Sequence, residues 1–174
     1  MIDKKSLRLL SKRIINFEEL KKTPGYPDED RMNKGPVPVI ECIEEIPCNP
    51  CETICKRGVI KVGNPIINLP RLANPDNCNN CERCVVYCPG LAIFIIDKTF
   101  SNDRALLTIP YELLPLPLEG ELVVGIDRIG NELCEAEIIK VKSNKNNNGT
   151  NIIKLAFPKE YTNEIRSFIR KNKK

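Results

Sequence analysis

Along residues 3 to 20 the apolar positions Leu7, Leu10, Ile14 and Phe17 recur every three or four residues, which predicts an amphipathic helix. Asn16 followed by Glu18 and Glu19 is a signal for a second short helix starting there. From Thr23 to Pro38 the period is lost: Pro24-Gly25-Tyr26-Pro27, an acidic patch and Lys34-Gly35-Pro36 predict an irregular arm. Residues 42 to 97 carry an internal echo, because Cys55-x3-Val59-Ile60 corresponds in spacing and character to Cys88-x3-Ala92-Ile93, so two half-repeats are expected. After Phe100 the texture turns to short apolar runs. Ala105 to Ile109, Leu122 to Ile126, Leu133 to Val141 and Ile152 to Phe157, bounded by Gly120, Gly130-Asn131 and Asn148-Gly149, predict antiparallel hairpins. Beyond Pro158, Tyr161, Ile165, Phe168 and Ile169 fall at helical spacing and predict a C-terminal helix.

Composition changes this picture at one point. In 174 residues there are 9 cysteines, 0 histidines and 0 tryptophans, so Ser/His/Asp and Cys/His catalysis, HExxH zinc proteolysis and imidazole acid–base relays are excluded. The 27 Lys and Arg against 23 Asp and Glu leave +4 spread along the chain, and with 5% aromatic residues this argues against a dedicated nucleic-acid binder. The longest apolar run, Leu91 to Ile96, is far short of the roughly 20 residues that span a bilayer. The N-terminus carries no continuous apolar stretch of the signal-peptide kind, so a cytoplasmic location is expected. In that reducing compartment thiols at short spacing point to metal, not to disulfides.

Cys78-x2-Cys81-x2-Cys84-x3-Cys88-Pro89 resembles the run of bacterial ferredoxins, in which three closely spaced thiolates grip one [4Fe-4S] cube and the fourth reaches another. A coiled loop can cap three corners of a cube, and Pro89, with its φ fixed, ends that loop. A zinc site is the alternative, although zinc more often takes two separated pairs. The first half is less regular, Cys42-x5-Cys48-x2-Cys51-x3-Cys55, and Lys56 stands where a ferredoxin has proline. The ferredoxin likeness implies an exchange of ligands. Cys42, Cys48, Cys51 and Cys88 would hold cluster 1, and Cys55, Cys78, Cys81 and Cys84 cluster 2. For Cys42, displaced from the usual spacing, a buried thiol is the other reading, and Cys134, in a strand-like segment, is taken as a small core residue. Lys56 and Arg57 either raise a cluster potential or form a solvated pair, while Ile46, Ile60, Ile66, Leu91 and Ile93 are expected to shield the clusters from water.

The fold expected is therefore α+β, a bacterial dicluster ferredoxin core followed by a small antiparallel β-barrel-like domain with a C-terminal helix. Residues 1–41 form an N-terminal helix and irregular docking arm, 42–100 the 2[4Fe-4S] domain and 101–174 the β domain. Ile46-Pro47-Cys48-Asn49-Pro50-Cys51-Glu52, Asn68-Leu69-Pro70-Arg71-Leu72, the cysteine run through Phe94, and Pro110-Tyr111-Glu112-Leu113-Leu114-Pro115-Leu116-Pro117 resemble a known family. It is the small 4Fe-4S subunit that accompanies FAD-dependent amino-acid dehydrogenases of anaerobic bacteria, of the hydroxyproline or sarcosine type. The resemblance implies a non-catalytic electron-transfer role, two [4Fe-4S] clusters and a hetero-oligomer with FAD-containing subunits. A free-standing soluble ferredoxin and a four-cysteine zinc interaction module are the rival readings.

Overall fold

The computed structural model describes residues 15–143 and 150–171. Leu7, Leu10 and Ile14 of the expected first helix, and the turn at Asn148-Gly149, lie outside the described residues. The helix restart at Asn16 is present as α1 (Phe17–Leu20). The Asn16 side chain accepts the Glu19 N–H at 2.9 Å and Glu19 accepts the Asn16 N–H at 3.3 Å, so the first turn's orphan donors are answered reciprocally.

The stretch expected to be irregular contains a second short helix, α2 (Glu29–Met32), capped by the Asp28 carboxylate, and then opens a strand, β1 (Val37–Ile40), whose four residues are all buried. Pro38 is tolerated there because β1 is an edge strand and loses no ladder bond through its missing N–H. The loop before it covers that edge, with Ile40 N–H donating to Gly25 O at 3.0 Å. A side chain at Gly25 would meet both Cβ and O of Ile40 at 2.8 Å and Pro70 O at 3.1 Å. Gly25→Ala is accordingly expected to destabilise the fold by about 1–3 kcal/mol through overpacking against backbone that cannot retreat. A chemical-denaturation midpoint equal to the parent's would show that this loop is not held so closely.

The cysteine region supplies α3 (Pro50–Ile54), a two-stranded ribbon of β2 (Ile60–Lys61) and β3 (Arg71–Leu72), α4 (Arg83–Val86) and β4 (Ile93–Asp97). Then come β5 (Arg104–Tyr111), β6 (Leu122–Ile126), β7 (Glu132–Lys142), β8 (Asn151–Pro158) and β9 (Ser167–Arg170). All pairs are antiparallel, and the main sheet runs β1-β4-β5-β8-β7-β6-β9. The four runs read as strands after Phe100 thus become β5 to β8, with β5 and β8 in register from Arg104 opposite Pro158 to Tyr111 opposite Asn151. The chain is mixed α+β, mostly antiparallel sheet with a few short helices. No described helix is long and apolar enough to cross a membrane.

Two expectations are corrected. The sheet is not a closed barrel: among the described residues β1 and β9 have no ladder between them, and they remain its two edges. It curls enough that Val37 and Val39 of β1 share one core with Val123, Ile165 and Phe168 from the other end, and Phe168 stacks on Tyr111 at 5.2 Å. Side chains tie the edges where backbone does not. Glu41, just past β1, meets Arg128 of the β6–β7 turn and Arg166, just before β9.

The C-terminal helix is the second correction. Residues 159 to 161 form a single 3-10 turn, and the chain then pairs with β6 as β9. In that strand Phe168 is buried and Ile169 is exposed, the alternation of a strand, whereas the helical reading put both on one apolar face. The spacing of Ile165 and Phe168 misled because both do reach the core, Ile165 from the turn by filling the space over Gly125, where a Cβ would lie 2.8 Å from Ile165 Cδ1. The unpaired edge of β6 supplies the stronger demand for hydrogen bonds.

Candidate functional site

The internal echo is a repeated piece of structure. Cys51 lies in α3, opened by Pro50 in the first turn, and Cys55 follows directly; Cys84 lies in α4 and Cys88 comes shortly after. Each piece then leads into a strand whose first residue, Ile60 or Ile93, is fully buried, and the two helices pack on each other.

Eight of the cysteines line two cavities. One of about 220 Å³ is walled by Cys55, Cys78, Cys81 and Cys84 together with Ile54, Val59, Ile60 and Ile95. The other, smaller at about 30 Å³, is walled by Cys42, Cys48, Cys51 and Cys88 with Ile40, Ile46 and Ile93. Each cavity therefore takes three cysteines from one half-repeat and one from the other. Cys42, the displaced member, shares a wall with Cys48, Cys51 and Cys88. Cys134 lies apart, on β7 opposite Gly125, and lines neither cavity. Among the described residues no three Cys, Asp or Glu side chains converge tightly enough to grip a single ion. The thiols stand around a void.

Backbone shape accounts for how a short loop surrounds the larger cavity. Asn80 and Glu82 both adopt left-handed φ, 56° and 64°, so the segment between Cys78 and Cys84 coils tightly and turns N–H groups inward. The Asn80 N–H reaches Cys78 and the Val85 N–H reaches Cys84. Around the smaller cavity the N–H groups of Glu44 and Glu52 serve Cys42 and Cys51, and Ala92 N–H donates to Cys88 Sγ at 3.3 Å.

Electrostatically, four of the site thiols, Cys42, Cys51, Cys78 and Cys84, are reluctant to ionise. Burial, then the neighbouring Cys78, Cys81 and Cys55, push Cys84 far above its ordinary range, and burial with Cys88, Cys48 and Cys42 raises Cys51 to about 11. Cys42 and Cys78 are raised for the same first reason. Such a group becomes thiolate only when a cationic centre compensates it, so loading either cavity with metal releases protons.

Three supports escaped the sequence reading. The Glu82 carboxylate, buried between two site cysteines, is held by Lys142 of β7 at 2.5 Å and Lys154 of β8 at 2.6 Å, pinning the cysteine loop to the sheet. Burial raises its proton affinity, but the two lysines outweigh that and hold the carboxyl below its ordinary value. Glu52 accepts the Val62 and Gly63 N–H groups and pairs with Lys61, which lowers it to about 2 and fixes α3 on the ribbon. Arg31 spans from α2 to the turn before Cys78, donating to Pro75 O at 2.9 Å and pairing with Asp76 at 3.2 Å. None of these pairs carries a local motif, apart from the place of Glu82 inside the cysteine run.

The expected apolar shield is partly corrected. Ile60 and Ile93 are buried as anticipated, but Ile46, Ile66 and Leu91 are exposed; Ile46 still lines the smaller cavity, whereas Ile66 and Leu91 line neither. In comparison with known proteins the chain matches no family, no curated protein and no solved structure.

Proposed function

We propose that this chain is an iron–sulfur electron-transfer subunit, carrying two [4Fe-4S] clusters and working with FAD-containing subunits of an amino-acid dehydrogenase. The observation that carries this reading is the grouping of eight cysteines into two cavities, three plus one in each, in the exchange that the ferredoxin spacing implies. The donor chemistry suits such clusters: eight thiols, N–H groups aimed at several sulfurs, and an apolar lining. The larger cavity has room for a polynuclear centre. The zinc module is the weaker alternative because zinc usually takes two separated pairs of cysteines, whereas Cys78, Cys81, Cys84 and Cys88 form one continuous run.

When bound, each cluster supplies a one-electron couple. The protein's own part is to hold eight sulfurs in place, to direct N–H dipoles toward them and to exclude water on the inner side through Ile60, Ile93 and Ile95. Exposed Leu113, Leu114 and Leu118, in the loop after β5, give an apolar surface of the kind that favours association with another subunit.

The test is anaerobic purification with metal and sulfide analysis. Roughly eight iron and eight sulfide per chain are expected, with co-purifying flavoprotein whose amino-acid substrate bleaches the brown colour. Stoichiometric zinc with little iron would end the electron-carrier reading. Full iron in a monomer that the flavoprotein does not reduce would leave a free-standing ferredoxin.

A further inference from the structure

The walls of the two cavities differ in charge. Around Cys55, Cys78, Cys81 and Cys84 stand Lys56, Arg57 and Arg83, and among the described residues none of the three has a carboxylate partner. The single acidic residue in that wall, Glu82, is already answered by Lys142 and Lys154. The wall around Cys42, Cys48, Cys51 and Cys88 contains no Lys or Arg, and its one charged member is Glu44. Glu41, beside Cys42, is neutralised by two arginines.

Resting on the iron–sulfur reading above, we infer that the two sites are electrically unequal. The Cys55/Cys78/Cys81/Cys84 site is the higher-potential end of the chain, raised by Lys56, Arg57 and Arg83. A cluster becomes more negative on reduction, so cations nearby favour the reduced form and an anion opposes it. Hydrogen bonds to sulfur act in the same sense but do not reverse the order. At the second site Ala92 N–H donates to Cys88 Sγ at 3.3 Å, and such a dipole is a weaker influence than three cations without a carboxylate partner among the described residues against one carboxylate. An electron entering the chain therefore settles at the Cys55 side. Lys56, which takes the place of the ferredoxin proline, is part of what makes that side different.

The experiment is an equilibrium redox titration of the anaerobic full-length protein with mediators, followed by paramagnetic resonance at low salt. Two resolved midpoint potentials are expected. Cys84→Ser should remove the higher signal and Cys51→Ser the lower, which assigns each to its cavity. The triple variant Lys56→Gln, Arg57→Gln, Arg83→Gln changes only solvent-exposed side chains. It should reduce the equilibrium constant for reduction of the higher site about tenfold, ~59 mV for one electron, and leave the other in place. Glu44→Gln should raise the lower one, and added salt should narrow the gap by screening. Full iron with potentials that the triple variant does not move, or loss of the lower signal in Cys84→Ser, overturns this inference alone. A protein that binds no iron overturns the carrier reading together with it.

Discussion

Cys84→Ser is expected to cost the anaerobic protein about half of its iron and sulfide, four of each out of roughly eight, while Cys134→Ser leaves both contents unchanged. The difference lies in where the two thiols stand. Cys84 is carried inward on α4 to the wall of the larger cavity beside Cys55, Cys78 and Cys81, and burial together with those neighbours makes it a poor thiolate unless metal compensates it. A serine there is a weaker donor for iron and a harder group to ionise, so the site loses one of four grips. Cys134 is also raised, to about 11, but by burial and the Glu160 carboxylate, with no thiol among its causes. Its partner across the ladder is Gly125, and it lines neither cysteine cavity. Cys42→Ser is the sharper discriminator within the smaller cavity. Full iron and an unaltered paramagnetic signal in that variant would remove Cys42 from the ligand set and return it to the buried thiol that its irregular spacing allows. Metal analysis on the three purified variants, side by side, is the measurement.

The grouping of the cysteines around two cavities was legible through the ferredoxin likeness, which implies the exchange, together with the short spacing of the Cys78 to Cys88 run. Cys78, Cys81 and Cys84, on one loop and α4, line the larger cavity, while Cys88, just past α4, lines the smaller. The strands β5 to β8 were legible for a similar local reason, their apolar runs being long and their turns marked by glycine. What could not be read was anything decided by a partner distant in sequence. β1 looks irregular because of its prolines, and it becomes a strand only because Ile93 to Ile96 of β4 offer it a ladder. β9 has the spacing of a helix and becomes a strand because β6 needs an edge. The pinning of the cysteine loop by Lys142 and Lys154 joins residues 60 and more positions apart, and a lysine in a strand carries no sign of which carboxylate it will meet.

Glu41→Gln is expected to destabilise the protein by about 3–5 kcal/mol, a large part of the 5–15 kcal/mol that holds a typical domain together. Glu41 is nearly buried and lies where the open sheet curls back on itself. Arg128 grips it with both Nε and Nη2, at 2.9 and 2.7 Å, and Arg166 donates from Nε at 2.5 Å. Arg166 is itself buried, rests over the Phe94 ring at 5.8 Å and has one Nη2 without a partner. Remove the carboxylate charge and two guanidinium groups face each other in a space that water reaches poorly, which is the costly way to break a buried pair. Arg166→Met should cost less than Glu41→Gln, since it deletes the cation that carries the orphaned donor and leaves the Glu41–Arg128 fork in place. The acid limb follows from the same residues. Burial alone would raise the Glu41 carboxyl, but the arginines outweigh it and hold the group below its ordinary 4.5. The unfolded chain then binds the proton more readily than the folded one. This contribution is therefore fully present above about pH 4.5 and is lost as pH falls through the lower folded value. Urea unfolding of parent and Glu41→Gln at neutral and acid pH checks both claims. The parent should lose stability on acidification more steeply than the variant, and parallel curves would mean that Glu41 does not close the sheet.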